Sequence, residues 1–323
     1  MRSFLALDDI DPGELHRIVS RSVEVLDQRE PLRHELGGKV LGLYFAKTST
    51  RTRTAFTSAA VRLGAAVVPY GPADLQLNTG ESLPDTGRVF GAMLDGLVMR
   101  TAGPLADMRL VASAGGLPVV NAMAAEEHPT QGVCDAATML RHFGRVDDLS
   151  VLYVGEGNNT AAALGQVLSA YRGVTVVFAT PKGYGLDAAL LDALRKKGSE
   201  MDSRFHETHD LASVEIEADV VYTTRWQTTG TAKTSADWRE EFRPFHVDDT
   251  MMSRWPEAVF MHDLPAHRGD EVGGSVLDGD RSLAWEQAWM KYGSAVAILE
   301  WVYCDSANSG APESGQETTR RTD

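Results

Sequence analysis

Cysteine is almost missing from this chain of 323 residues, which carries only Cys134 and Cys304. Two thiols cannot build a disulfide framework, and neither has Cys or His neighbours at zinc-like spacing, so both read as reduced and no metal is expected. Long hydrophobic runs are missing too. No stretch approaches the roughly 20 apolar residues that span a bilayer, and Met1–Asp9 lacks the basic-then-apolar pattern of a secretory signal. The expectation is a soluble cytoplasmic protein with no membrane partner. Positive charge is also scarce, with 31 Lys and Arg against 45 Asp and Glu and a formal net charge of -14. That balance opposes a general nucleic-acid surface, so an anionic ligand must be met by a local cluster of cations. What is present is 43% apolar content, enough over this length for two compact domains with separate cores.

Short β-branched runs alternate with helical stretches. They run Lys39–Phe45, Arg51–Leu63, Ala66–Tyr70, Leu83–Leu94, Gly96–Arg100 and Leu117–Asn121, then resume at Leu149–Gly155, Thr160–Ala170, Val174–Ala179, Leu186–Lys197, Ala218–Thr223 and Ala258–Met261. This is the pattern of parallel βαβ units, and it predicts an α/β protein of two tandem doubly wound parallel-sheet lobes. Thr138–Val146 is helical in pattern and places the lobe boundary near Arg145. Ser282–Cys304 is apolar at helical spacing and predicts a long final helix. Asp305–Asp323 has no large apolar residue and is expected to be a disordered tail. Trp226–Thr250 shows no clear period and reads as a long loop, a length often functional in compact domains.

The first strand runs into Ala46-Lys47-Thr48-Ser49-Thr50-Arg51-Thr52-Arg53 and then a helix. Free N–H groups at a helix N-terminus and the helix dipole favour an anion there. Ser49 and Thr50 can cap or donate, while Arg51 and Arg53 supply forked donors suited to phosphate. An isolated Ser/Thr-rich cap with solvated arginines is an ordinary helix start, but this string is denser in donors than such a start requires.

Ser49-Thr50-Arg51-Thr52-Arg53 resembles the carbamoyl-phosphate motif of the aspartate and ornithine carbamoyltransferases. Further landmarks follow in order. Asp74-Leu75-Gln76-Leu77 with Gly80-Glu81-Ser82 resembles the loop that reaches a neighbouring subunit, and Arg100 ends a strand, as the family's ligand arginine does. His128-Pro129-Thr130-Gln131 carries a His-Pro-x-Gln signature; Pro129 at a helix start puts His128 and Gln131 three residues apart, able to converge on one ligand. Val154-Gly155-Glu156-Gly157-Asn158-Asn159 is similar to the acceptor turn of the second lobe; read as a nucleotide-binding fingerprint it lacks the full glycine spacing. Met261-His262-Asp263-Leu264-Pro265-Ala266-His267-Arg268-Gly269 resembles an ornithine-type run. Together the landmarks cover Ser49 to about Lys291.

The resemblance implies carbamoyl transfer from carbamoyl phosphate to an amine, without cofactor, by an enzyme whose small-molecule substrates meet between the lobes. It implies that Arg51, Arg100 and His128 are catalytic, and that Ser49, Thr50, Thr52, Gln76, Gln131, Leu264 and Lys291 also hold carbamoyl phosphate. Asn158, Asn159, Thr224, Arg225, Gln227, Thr228, Asp263 and Leu264 would line the acceptor site. Residues 1–146 with 286–304 would form the carbamoyl-phosphate domain, 147–285 the acceptor domain, and the final helix would return to the first lobe. Gln76 would act across the interface of a homotrimer.

Three departures bear on the acceptor. Ornithine enzymes have Cys where this chain has Asp263, and Asp, Ser and Met where it has Thr224, Thr228 and Thr229. Thr224-Arg225-Trp226-Gln227 looks instead like the carboxylate-binding Thr-Arg-x-Gln of aspartate enzymes, yet the His-Asp-Leu-Pro run lacks their His-Pro-Leu-Pro form. Lys291 stands where the family has arginine, keeping charge but losing the planar fork. A short diamino acid such as 2,3-diaminopropionate or 2,4-diaminobutyrate fits both Arg225 and Asp263, with ornithine as the alternative. A binding paralogue that has lost catalysis is the alternative of another class.

Overall fold

A computed structural model describes residues 2–28, 32, 34–228, 233 and 235–304. The expected tail over 305–323, and the positions Thr229 and Gly230, lie outside the described residues.

The chain builds α1 (Pro12–Leu26), β1 (Val40–Phe45), α2 (Arg51–Arg62), β2 (Ala66–Tyr70), α3 (Leu83–Met93), β3 (Gly96–Arg100), α4 (Leu105–Gly115), β4 (Val119–Met123) and α5 (Pro129–Phe143). The second series is β5 (Ser150–Val154), α6 (Asn159–Leu168), β6 (Thr175–Ala179), α7 (Ala188–Glu200), β7 (Arg204–Thr208), β8 (Val220–Thr223), α8 (Trp238–Phe242), α9 (Asp249–Met252), β9 (Val259–His262), α10 (Gly274–Leu277) and α11 (Ala284–Tyr303). The two predicted lobes are present as two parallel sheets, ordered β2-β1-β3-β4 and β7-β6-β5-β8-β9.

Both orders contain a reversal, between β1 and β3 in the first sheet and between β5 and β8 in the second. Connections leave such adjacent strands in opposite directions and open a crevice at their carboxyl ends, which is where open α/β sheets take ligands. The segments leaving these four strands begin at Ala46, Thr101, Gly155 and Thr224.

Local chemistry sets the helix starts. Asp11 caps α1 by accepting from the Gly13 and Glu14 amides, with Pro12 in the first turn. Asn158 caps α6 through the Thr160 and Ala161 amides. Pro129 opens α5, and Gly144 at φ +72° closes it in a conformation that a side chain would oppose. One continuous apolar core joins strand residues such as Leu41 and Val98 to Val151 and Phe178 of the other sheet through α5 and α6. Helix α11 returns as expected and packs on α1, α2 and α5, while also meeting β9.

The sequence reading is corrected in several places: the helix read at Thr138–Val146 is the end of α5, which runs Pro129–Phe143, and α1 and α4 were not named. Trp226–Thr250 is not one loop: it contains α8, a 3-10 turn at Arg243–Phe245 and the start of α9. Their helical turns are too short to show a period, and burial of Trp238, Phe242 and Phe245 orders them. The edge strand β7 escaped notice because Arg204-Phe205-His206-Glu207-Thr208 is mostly polar. Strand β4 starts at Val119, two residues beyond the predicted Leu117.

Gly132 marks where α5 meets α6. A Cβ there would stand 2.7 Å from the Ala163 carbonyl oxygen and 3.0 Å from Leu7 Cδ1. Backbone cannot move aside as a side-chain tip can, so Gly132→Ala is expected to lower stability by about 1–3 kcal/mol. An unchanged denaturation midpoint would show that the helices part without cost.

Candidate active site

The two reversals face one cleft of about 230 Å³. From the first lobe it is lined by Thr48, Ser49, Thr50, Arg51 and Thr52 at the start of α2, by Arg100 at the end of β3, and by Met123, His128 and Gln131 around the start of α5. Thr50 occupies the cap position of α2, but its side chain makes no capping hydrogen bond, contrary to the capping role open to it in the sequence. The hydroxyl and the first-turn amides are therefore left for a ligand.

Arg100 is half-buried, and its Nη1 reaches Thr52 Oγ1 at 3.5 Å, the Ala122 carbonyl at 3.3 Å and His128 Nε2 at 3.1 Å. Its Nε is buried with no partner. A guanidinium can only donate, so His128 Nε2 must accept here, and the ring hydrogen lies on Nδ1, facing Thr130 Oγ1 at 3.2 Å. His128 thus orients Arg100.

The second lobe supplies Asn158, Asn159, Thr160, Thr224, Arg225, Thr228, Asp263, Leu264 and Pro265, and α11 supplies Lys291. Asp263 is held by two hydroxyls, Thr224 Oγ1 donating to Oδ1 at 2.8 Å and Thr160 Oγ1 to Oδ2 at 3.1 Å. Asn158 donates to Thr228 Oγ1 at 2.9 Å, and Thr228 donates to Glu156 at 2.8 Å. Glu156 also pairs with Lys233, whose ammonium lies 4.6 Å from the Tyr184 ring centre and 4.8 Å from that of Phe242. Leu264, at φ +54°, has its amide tied to His262 Nδ1 at 2.8 Å.

Four cationic side chains, Arg51, Arg100, Arg225 and Lys291, thus face one carboxylate, Asp263, within the cleft. Burial lowers the pKa of Arg100 to about 10 and also lowers those of Arg51 and Lys291. Burial first, then Arg100 and Lys291, drives His128 well below its usual value. Crowding like charges out of water costs free energy that a bound anion returns, so the cleft is built for a multiply charged anion. Among the described residues, no group of three or more His, Cys, Asp or Glu is placed to hold a metal ion.

Residues 2–141 match the family model of the aspartate/ornithine carbamoyltransferase carbamoyl-P binding domain, and residues 147–302 match that of the Asp/Orn binding domain. The chain belongs to the aspartate/ornithine carbamoyltransferase family. Ornithine carbamoyltransferase of Gloeobacter violaceus is 34% identical over 296 residues, which cover 91% of this chain and 93% of that protein. The Symbiobacterium thermophilum enzyme of the same name is 36% identical over 301 residues, 92% and 96% of the two chains. The solved ornithine carbamoyltransferase of Pyrococcus furiosus superposes with a TM-score of 0.87 at 32% identity, covering 94% of this chain and 97% of that one.

Most of the positions picked out by the family resemblance line the cleft. Two do not. Gln76 sits exposed in a 3-10 turn, Gln76–Thr79, where its side chain accepts from Thr79 Oγ1 at 2.9 Å. Gln227 lines an adjoining cavity of about 330 Å³ with Trp226 and Trp238, and its carbonyl accepts from Arg225 Nε at 2.6 Å. Sequence reasoning missed Thr48, Met123, Thr160 and Pro265 in the cleft. It also passed over Glu156 and Lys233; Glu156 lay inside a quoted motif, but no spacing tied it to a lysine 77 residues away.

His128 is buried beside the cations Arg100 and Lys291, so its ring is expected to stay neutral across roughly pH 6–8. Imidazole 15N shifts assigned to His128 should be flat over that range; a titration step within it would refute the electrostatic picture.

Proposed function

We propose that this enzyme transfers the carbamoyl group of carbamoyl phosphate to an amino group of a small diamino acid, with release of phosphate. The observation that carries the proposal is the meeting, in one cleft, of the hydroxyl- and arginine-rich start of α2 with Arg100 and, from the other lobe, Arg225 and Asp263. Ser49, Thr50, Arg51 and Thr52 hold the phosphate. Arg100 and Thr52 donate to the carbamoyl oxygen as it gains charge, and His128 keeps Arg100 aimed. Gln131 and the Leu264 carbonyl hold the carbamoyl NH2, and Lys291 stands beside Gln131. Residues 1–146 with 286–304 form the donor domain and 147–285 the acceptor domain.

A neutral amine attacks the carbamoyl carbon, the new C–N bond forms, the C–O bond to phosphate breaks, and the departing phosphate takes the amine's proton. Positioning and charge stabilisation supply the rate. Arg225, with Gln227 behind it, meets the acceptor carboxylate, while Asp263, Thr224, Thr228, Asn158 and Asn159 line the remainder. Asp263 suits a second ammonium close to the reacting one, which favours 2,3-diaminopropionate or 2,4-diaminobutyrate. Similarity to ornithine carbamoyltransferases supports ornithine as the second reading. Gln76, exposed and outside its own cleft, is suited to complete the site of a neighbouring copy in a homotrimer.

Phosphate release from carbamoyl phosphate with a panel of diamino acids of graded length, plus aspartate, tests the proposal. If no acceptor brings about release, the protein is only a binding protein. Arg51→Ala is expected to abolish turnover with the fold retained, and near-normal saturation by carbamoyl phosphate in that variant would overturn the site. Asp263→Asn should lower kcat/KM for the diamino acid by roughly 10- to 100-fold, the worth of a hydrogen bond to a charged group. Carbamoyl-phosphate KM should hardly move; an equal loss for both substrates would remove Asp263 from acceptor recognition.

A further inference from the structure

Behind the cleft lies a hydrogen-bonded assembly to which the proposed reaction assigns no role. Asp135 of α5, Tyr222 of β8 and Gln287 of α11 are all fully buried. Asp135 Oδ1 accepts from Gln131 Nε2 at 2.6 Å and from Gln287 Nε2 at 2.6 Å, and its Oδ2 accepts from the Tyr222 hydroxyl at 3.1 Å. Gln287 Nε2 also reaches the Tyr222 hydroxyl at 3.1 Å, and its Oε1 accepts from the backbone N–H of His262 at 2.9 Å. The Gln131 oxygen in turn accepts from Lys291 Nζ.

We propose that Asp135 is a positioning residue for carbamoyl transfer: it fixes which end of the Gln131 amide faces the carbamoyl group, through a relay that starts at the His262 amide. The inference rests on the function proposed above. Its logic is one of donors and acceptors. A backbone N–H cannot become an acceptor, so it holds Gln287 with its oxygen toward β9 and its NH2 toward Asp135. A carboxylate offers only acceptors, so Gln131 must also present its NH2 to Asp135. The Gln131 oxygen is thereby turned toward Lys291 and the cleft, where a carbamoyl NH2 requires an acceptor. With the amide reversed, NH2 would face NH2.

Burial is what gives the relay its force, since no water can stand in for a missing partner. The carboxyl of Asp135 is pushed up to about 7 by that burial, opposed by its bonds to Gln131 and Gln287 and by the nearby Lys291 ammonium. The ionised form satisfies three donors at once. A leucine keeps the branched shape of aspartate but offers no acceptor, so Gln131, Gln287 and Tyr222 all lose the carboxylate. Gln287 keeps its bond to the His262 amide and Tyr222 its place in the strand, which leaves Gln131, the one of the three that lines the cleft, with nothing from this side to fix its amide.

The test compares Asp135→Leu, Gln131→Met and the double variant with the parent enzyme, using kcat, KM for carbamoyl phosphate, and competitive inhibition by inorganic phosphate. Asp135→Leu is expected to lose about tenfold or more in kcat/KM for carbamoyl phosphate while the phosphate inhibition constant stays within about twofold, because phosphate does not use Gln131. In the Gln131→Met background the same change should add less than about twofold. Parent-like kinetics for Asp135→Leu, a parallel loss of phosphate inhibition, or fully additive effects would each overturn the inference. Should Asp135→Leu fail to fold, Asp135→Ala, which also removes both acceptor oxygens and adds no volume, goes through the same cycle with the same expected signs. A parent enzyme that releases no phosphate with any amine would defeat the proposed function instead, before the cycle is read.

Discussion

Everything around the cleft follows from holding four cations in a space of about 230 Å³. Unscreened, these charges repel one another, and the structure opposes that repulsion with Asp263, with the buried Asp135 behind Lys291, and with a neutral rather than protonated His128. The two carboxylates come from opposite sides, one from the end of β9 and one from α5. The second lobe sets Arg225 against Asp263, whereas the first lobe with α11 brings Arg51, Arg100 and Lys291 against Asp135 alone. The lobes are joined electrostatically at the cleft as well as by the apolar core that runs between them.

Much of this was legible in the sequence, because most of these parallel strands announce themselves as short apolar runs. β2 and β3 fall within the residues predicted for them, and β1 begins one residue later than predicted. The cleft was legible for a different reason. Residues placed by a strand end or helix start, such as Ser49 to Thr52, Arg100 and Gln131, reach the site by local geometry that a short motif encodes. Thr160 could have been found the same way, as the next helix-start residue after Asn159.

What remained hidden depends on contacts between distant segments. Tyr222 and Gln287 meet at Asp135 across 87 and 152 residues, and each looks like an ordinary core position when read alone. The direction of the His128 ring hydrogen is likewise invisible in a His-Pro-x-Gln string, since it is set by Arg100 and Thr130. The short helices α8 to α10 order through buried aromatic and apolar side chains rather than through periodicity.

The two strand-order reversals lie on separate sheets, and they divide recognition between them. Groups proposed for the phosphate and the carbamoyl oxygen leave β1 and β3, whereas those proposed for the acceptor leave β5, β8 and β9, with Leu264 after β9 also reaching the carbamoyl NH2. Loops on the second sheet can accordingly be exchanged without altering how the first sheet grips its anion. A lineage or a designer wishing to carbamoylate a different amine would have only to rewrite Thr224 to Thr228 and the turn at Asp263, leaving the leaving-group chemistry untouched.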